Sequence, residues 1–445
     1  MIYLYIVLII EIFFCAIEYI HARAVFANPS FLAMIVITIS SALGTIGNMY
    51  WNVKISPILV YIVLFGFLSI ILADFLAKRT ANRYHYSVAE NIYEIKISNT
   101  KTNMVLVLVV FCTLLYCADI LRVGASMGHD GWRAIYAVKK DNSGTNVLIR
   151  QGVKIITAAM FIHTFVFANN VLMLRKKGFK EFKHLIPALC AIVCSIFTSV
   201  RTEIFRVLTA LMVCLCVLIF QRYDWKITSL KKFVKKIILY ILLGVILLVG
   251  VRYIVKGMEN ATSNTYDVFM YIIYYLGTPI IVLGAKLTEE LNYFQGIHFG
   301  EITFNRFYKL LQNLGLFVND VFQDGSKNVW IDQKNLITAN VDTIFGPPTI
   351  DFGIVGMAIY ILILFYFLNV YYYRYIYKTR SSTKRNMKLI TYSFFAAIPS
   401  MAFYCNYLNW YLTVYFVLTL ILIKIIELYY GFISPIFRRG CGKSF

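Results

Sequence analysis

Apolar runs of about twenty residues alternate along the chain with shorter polar segments. An α-helix of that length, rising about 1.5 Å per residue, crosses the hydrocarbon core of a bilayer. The pattern therefore predicts an all-α polytopic membrane protein with about eleven spans, or ten to twelve when ambiguous segments are counted differently. The predicted spans lie near residues 1–20, 31–50, 57–77, 103–121, 153–174, 185–200, 202–221, 234–254, 349–372, 388–405 and 409–430.

The polar segments between the spans differ sharply in their content of lysine and arginine. Because basic loops stay on the cytoplasmic side of a membrane, we expect the basic segments and the C-terminus to be cytoplasmic. This orientation places two longer segments, about 122–151 and about 256–348, on the outer side, where long loops usually carry function. The basic segments are 78–83, 175–183, 226–236, 374–388 and 438–443.

The larger outer segment divides the chain into three predicted parts. Residues 1–255 form an N-terminal transmembrane bundle of about eight spans. Residues 256–348 form the large outer loop with interfacial helices. Residues 349–445 form about three C-terminal spans and a cytoplasmic tail.

Two segments of the large outer loop have the pattern of helices at the membrane surface. The apolar run 268–287 is long enough for a twelfth span, but counting it would move the basic segment 374–388 outside. We therefore interpret it as an interfacial or re-entrant helix. Further on, apolar residues at helical spacing predict a helix lying on the membrane surface. These residues are Phe304, Phe307, Tyr308, Leu311 and Leu314.

Composition supports a membrane protein and excludes several functions. The chain is 60% hydrophobic and 15% charged, against about a quarter charged in soluble domains, with a mean hydropathy of +0.71. The net charge of +21 reflects topology and anionic lipid before nucleic acid, so we expect no nucleic-acid partner. The cysteines form no CxxC pair and the histidines no HxxxH pair, so we expect no metal site and no cofactor.

The strongest local signal is a charged motif at residues 199–206, which opens a very apolar span. Glu203 and Arg206 are three residues apart and can pair on one helical face, which leaves Arg201 for a ligand. Charges at this depth are costly and tend to be functional. Because a guanidinium binds phosphate oxygens with two parallel hydrogen bonds, a pyrophosphate is the natural partner of Arg201. The alternative is an arginine that only extends to lipid headgroups.

A second polar motif, residues 340–356, joins the large outer loop to the next span. Its Pro-Pro pair stiffens a segment that brings Asp342 and Asp351 to the membrane surface, and either carboxylate can serve as a general base. The alternative for Asp351 is capping of the helix N-terminus. Gly353 and Gly356 are predicted to allow close helix packing.

Together these motifs resemble the oligosaccharide repeat-unit polymerases, the Wzy or O-antigen polymerase family. The resemblance rests on Arg201-Thr202-Glu203 opening a span, on the Asn340-x-x-Thr343 segment, and on Asp351-Phe352-Gly353-x-x-Gly356 entering the next span. It implies a helical bundle similar to lipid-dependent glycosyltransferases of the GT-C type and O-antigen ligases. It also implies an enzyme of the bacterial inner membrane with a periplasmic catalytic face.

The resemblance implies a reaction and its partners. The enzyme would move a growing glycan from undecaprenyl pyrophosphate to the non-reducing end of a new undecaprenyl-pyrophosphate-linked repeat unit. No nucleotide sugar and no metal is required, and Arg201 would hold the donor pyrophosphate and stabilise its developing charge. A flippase and a chain-length co-polymerase are the implied protein partners.

Other outer residues could bind the second carrier or act as a base. For each outer arginine taken singly, a solvated surface charge is the alternative. His298 is the only histidine of the large outer loop and is an alternative base. The candidate arginines are Arg122, Arg133, Arg150, Arg252 and Arg306.

Two other functions remain open at this point. A flippase for lipid-linked oligosaccharides needs a polar cavity across the bilayer, but charges within spans are few and the outer loop is long, which favours the enzyme. An O-antigen ligase differs from a polymerase only in its acceptor. The closing segment carries Asn340 where ligases usually place a histidine, which favours the polymerase.

Overall fold

The structure is a computed structural model that describes most of the predicted spans. The described residues are 1–22, 27–81, 94–129, 134–135, 137–138, 144–174, 179–198, 202–222, 225, 268–289, 298–317, 328–333, 337–379 and 383–431.

The described residues form helices almost throughout, with one short β-hairpin. Nine of these helices are long and apolar enough to cross a membrane. The all-α polytopic class is therefore confirmed, whereas the count of eleven stays a prediction because the span 234–254 lies outside the described residues. The helices are α1 (Ile2–His21), α2 (Pro29–Trp51), α3 (Ile58–Ala81), α4 (Asn99–Ser126), α5 (Val147–Phe167), α6 (Ile186–Thr198), α7 (Thr202–Arg222), α8 (Val268–Glu289), α9 (Asn305–Asn313), α10 (Gly346–Tyr375), α11 (Thr383–Phe395), α12 (Ala397–Ser400), α13 (Leu408–Tyr411) and α14 (Val414–Tyr429).

Local sequence explains where several of these helices begin and end. The side chain of Asn28 accepts a hydrogen bond from the Phe31 amide, and Pro29 occupies the first turn of α2, where its missing N–H costs nothing. Asn146 caps α5 in the same way by accepting from the Leu148 amide. Asn52 ends α2 in the left-handed conformation that asparagine tolerates.

The chain divides into two compact units, each assembled from separate segments. The first unit comprises Met1–His85, Asn264–Arg374 and Ile398–Val414, and the second comprises Tyr86–Ser263, Tyr375–Ala397 and Tyr415–Phe445. The three parts predicted from the sequence are divided by membrane topology, whereas the two units are divided by contacts within the fold. The three predicted parts therefore stay a prediction.

In the first unit, α8 packs along the full face of α2. A Cβ atom added at Gly44 would lie 2.6 Å from the Gly277 carbonyl oxygen, so the two backbones touch at this point. The Ser40 hydroxyl donates to the Leu276 carbonyl at 2.6 Å beside the contact. Helix α8 is a 22-residue helix whose length and composition match those of the other candidate spans, and its interfacial or re-entrant placement stays a prediction.

The β-hairpin of the first unit lies beside α8. Strands β1 (Val329–Asp332) and β2 (Ile337–Ala339) pair antiparallel, with Val329 opposite Ala339. The Tyr274 hydroxyl of α8 donates to the Thr338 carbonyl at 2.7 Å. This hairpin leads directly into the 340–356 motif.

Helix α10 is interrupted at Gly353. This residue has φ 69° and ψ −176°, which lies outside the helical region and is accessible almost only to glycine. The short helical segment 346–352 therefore leaves in a different direction from 354–375. The glycine permits this break through its backbone conformation, and the close helix packing expected at Gly353 stays a prediction. Gly356 faces the side chain of Phe352, which belongs to the short segment before the break.

The second unit contains α4 to α7 and part of the C-terminal region. Helix α5 continues into a π-helix, Ala168–Met173, whose Asn170 side chain bonds both the N–H and the C=O of Ile95 at 3.0 Å. Helix α11 ends at Phe395, four residues before Pro399. The proline ring would clash with the Phe395 carbonyl in a continuous helix, so the predicted span 388–405 is not one helix. The predicted span 409–430 is likewise divided between α13 and α14.

Candidate functional site

A buried ion pair lies at the start of the 340–356 motif, in the first unit. The Lys286 ammonium, in the last turn of α8, donates to Asp342 Oδ2 at 2.9 Å, and the two side chains are only 9% and 11% exposed. Removing either partner of a buried ion pair destabilises a protein, because the remaining charge stays buried without compensation. The pair anchors the segment after the β-hairpin to α8.

The next residues of the motif turn the chain into α10. Thr343 is fully buried, and its hydroxyl oxygen accepts from the Phe345 amide at 3.3 Å. The Ile344 amide donates to the Ala402 carbonyl at 2.8 Å, which ties the motif to the segment that follows α12. Asn340 is exposed at the end of the hairpin.

Asp351 stabilises a second loop of the first unit rather than the N-terminus of its own helix. Its carboxylate accepts from the backbone N–H groups of Ile302 at 3.3 Å and Thr303 at 2.6 Å. Both carboxylate oxygens are therefore used to hold the chain that leads into α9. Asp351 is better suited to positioning this loop than to accepting a proton.

The loop before α9 is fixed by polar residues after α12. Asn406 donates through Nδ2 to the Thr303 carbonyl at 3.3 Å and accepts at Oδ1 from the Tyr360 hydroxyl at 2.8 Å. Asn409 accepts from the Arg306 amide at 2.9 Å. These bonds join three distant parts of the sequence at one place.

Arg306 projects from the first turn of α9 onto an aromatic ring. Its guanidinium carbon lies 4.1 Å from the centroid of the Trp410 ring, a cation–π contact that holds the guanidinium plane over the indole. Arg306 and Trp410 are both partly exposed. The contact restricts the orientation of the Arg306 side chain.

His298 lies among aromatic side chains of the same loop. Its ring centroid is 5.6 Å from that of Tyr308 and 4.9 Å from that of Phe317. Burial, followed by the negative charges of Asp351 and Glu301, raises the pKa of the Tyr308 hydroxyl, which donates to the Phe299 carbonyl at 2.6 Å. The loop thus places His298 in the same region as Asp351.

Helix α9 confirms the helix predicted after Phe304, and the region around it exposes apolar side chains. Phe299 is 79% exposed and Leu314 is 71% exposed. Exposed apolar surface of this kind, beside an amphipathic helix, is typical of a segment in the membrane interface. Such a segment suits a ligand with both a lipid tail and a charged head.

The remaining described candidates belong to the second unit. Arg206 is buried, with its guanidinium carbon 4.6 Å from the Phe416 ring centroid and 5.6 Å from that of Phe161. Arg122 pairs with Asp119 at 2.7 Å and remains 68% exposed, and Arg150 is exposed on α5.

Several predicted site residues lie outside the described part of the chain. These are Arg133, Arg201 and Arg252, together with the side chain of Glu203. Their proposed roles, and the predicted pairing of Glu203 with Arg206, stay predictions.

We expect Gly353→Ala to destabilise the protein by about 1–3 kcal/mol, because alanine is strained at the φ and ψ of this position. The same change should move Asp351 away from the loop that it caps. Thermal unfolding of the detergent-purified protein measures the effect. Val355→Ala, an exposed change in the same helix, is the control, and equal melting temperatures for the two variants would show that the break tolerates a side chain.

Comparison with known proteins gives one family. The family model for O-antigen polymerases matches residues 149–398, more than half of the chain. No curated protein and no solved structure matches. The matched range contains both the 199–206 and the 340–356 motif.

Proposed function

Because the chain belongs to the O-antigen polymerase family, we propose that it transfers a growing glycan from undecaprenyl pyrophosphate to the non-reducing end of a new lipid-linked repeat unit. The observation that carries the proposal is the family match over residues 149–398, which includes the two motifs selected from the sequence. The polymerisation of O-antigen repeat units follows from the family, and the lipid carrier and the direction of transfer are our proposal.

The reaction needs a leaving group, a nucleophile and a base. A hydroxyl of the acceptor sugar attacks the anomeric carbon of the donor glycan, the bond to the pyrophosphate oxygen breaks, and the hydroxyl proton passes to a base. Arg201 is proposed to hold the donor pyrophosphate, where a guanidinium stabilises the charge that develops as the bond breaks. Arg306 is the best supported of the arginines proposed for the acceptor pyrophosphate, since Trp410 orients it. Arg122, Arg133, Arg150 and Arg252 remain weaker candidates.

Asp342 is the preferred base among the three candidates. Asp351 uses both oxygens to hold the loop at Ile302 and Thr303, and the His298 ring packs against aromatic rings. Asp342 uses Oδ2 for Lys286, and Oδ1 takes part in none of its described hydrogen bonds. We propose Asp342 as the base and Asp351 as a positioning residue.

The proposed setting is the bacterial inner membrane, with the site on the periplasmic face and the C-terminus in the cytoplasm. The distribution of basic loops supports this orientation. The proposed partners are lipid-linked oligosaccharides delivered by a flippase and a co-polymerase that sets chain length.

The test is the surface-glycan ladder of a strain that lacks this gene, with and without the wild-type chain. Loss of the gene is expected to leave core carrying a single repeat unit, since export and ligation continue, and the wild-type chain should restore the ladder. Bare core with accumulating lipid-linked repeats would instead show a flippase or a ligase. An unchanged ladder would contradict all three functions.

A further inference from the structure

Away from the proposed site, three potential metal ligands meet where α1 and α3 approach one another in the first unit. Glu18 and His21 lie three residues apart in α1, and Asp74 comes from α3. His21 Nδ1 is 2.8 Å from Asp74 Oδ2 and 3.7 Å from Glu18 Oε2. One ligand atom from each residue lies within 4.8 Å of the others. We refer to these three residues as the α1–α3 cluster.

Surrounding residues hold Asp74 in place. Asn28 donates to Asp74 Oδ1 at 2.8 Å, and the Tyr373 hydroxyl donates to Oδ2 at 2.9 Å. The Lys78 ammonium donates to the His21 carbonyl at 2.9 Å. Outer hydrogen bonds of this kind orient ligands around metal ions.

Glu18 is the residue that these contacts leave unexplained. It is completely buried, and neither of its carboxylate oxygens accepts a hydrogen bond in the described structure. Its only described electrostatic partner within the ion-pair limit is His21, at 3.7 Å, and His21 is closer to Asp74. A buried carboxylate without donors is costly, so this position favours a cation.

We propose that the α1–α3 cluster binds a divalent transition-metal cation through Glu18, His21 and Asp74. Two carboxylates balance the charge of the ion, and one imidazole favours Zn²⁺ over Mg²⁺. Ligands about 2.1 Å from a tetrahedral ion are separated by about 3.4 Å, which lies between the two measured separations. His21 is 25% exposed and provides a path for entry.

The bound ion would join the end of α1 to α3. It would also connect to α10, because the Tyr373 hydroxyl of α10 donates to Asp74. Glu18 and His21 lie in the last turn of α1, where helix ends separate most easily, and Asp74 lies in the turn before the last turn of α3. The proposed role is therefore structural, and it does not depend on the proposed reaction.

The test uses the full chain, purified in detergent, treated with a chelator and then titrated with Zn²⁺. We expect about one Zn²⁺ per chain and a higher melting temperature. Glu18→Gln and His21→Gln should each weaken Zn²⁺ binding by at least about tenfold. Glu11→Gln is the matched control, because Glu11 is a buried carboxylate on the same face of α1 that instead accepts from Ser41 at 2.8 Å. It should bind Zn²⁺ as the wild type does.

Several results would overturn the proposal. They are a wild-type chain that retains no stoichiometric Zn²⁺, a Glu18→Gln chain that binds it with wild-type affinity, and an equal rise of the melting temperature with Mg²⁺. The Zn²⁺ titration of the wild-type chain tests the proposed binding even where a variant fails to fold.

Discussion

Replacing Arg201 with alanine is expected to abolish polymerisation, so that the surface glycan consists of core carrying a single repeat unit. The physical reason is the loss of a guanidinium that forms two parallel hydrogen bonds with the departing pyrophosphate. Arg201→Lys should also fail or be weak, because an ammonium carries the charge but cannot form this paired contact. The measurement is the surface-glycan ladder at matched protein levels.

Arg222→Ala is the control for this experiment. Arg222 lies in α7, the helix that follows Arg201, but at its opposite end, where it donates to the Met173 carbonyl at 3.2 Å. We expect its ladder to resemble that of the wild type. A full ladder from Arg201→Ala would exclude Arg201 from the reaction, while the effect of deleting the gene would still test the function itself.

Removing one partner of the buried pair between Lys286 and Asp342 should destabilise the protein by about 3–5 kcal/mol, because it leaves the other charge buried without compensation. Lys286→Met and Asp342→Asn are each expected to lower the melting temperature. The double variant removes both charges and should recover most of the loss. Thermal unfolding of detergent-purified protein provides the comparison, with Lys384→Met, a change at an exposed lysine, as the control.

The same double variant separates stability from chemistry. If Asp342 is the base, the double variant should be stable but unable to build long glycans, since asparagine accepts no proton. A stable double variant with a normal ladder would limit Asp342 to a structural role. No recovery of the melting temperature would mean that the pair does not act as a unit.

The pattern of apolar residues predicts most of the described helices because their period and length are local properties of the sequence. Asn28 and Pro29 mark the start of α2 in the same way. Local sequence is less informative where one residue changes the backbone. Pro399 divides a predicted span, and Gly353 interrupts α10 through its φ angle, which the pattern of apolar residues does not reveal.

The site is less predictable, because its contacts join residues that are distant in sequence. Lys286 was overlooked as part of an apolar run, although a lysine near the end of such a run is a usable signal. Its partner Asp342 and the contact of Arg306 with Trp410 both require the folded chain. Asn406 and Asn409, in a short polar break of the C-terminal apolar region, were also missed.

The α1–α3 cluster was missed for a different reason. Common helical metal-ligand patterns such as HxxxH begin with a histidine, whereas here Glu18 precedes His21 by three residues. The third residue, Asp74, is more than fifty positions away in the sequence. A local pattern in either order would have identified the first two ligands.

The contact between Gly44 and Gly277 limits how the chain can vary. Where a large side chain meets a small one, a mutation on one helix can be rescued by substituting a smaller residue at the contacting position of the other helix. Here both positions are already reduced to hydrogen, and an added Cβ on either side meets backbone atoms of the other. A substitution at Gly44 or Gly277 therefore has no reciprocal suppressor, and selection for revertants should return glycine itself.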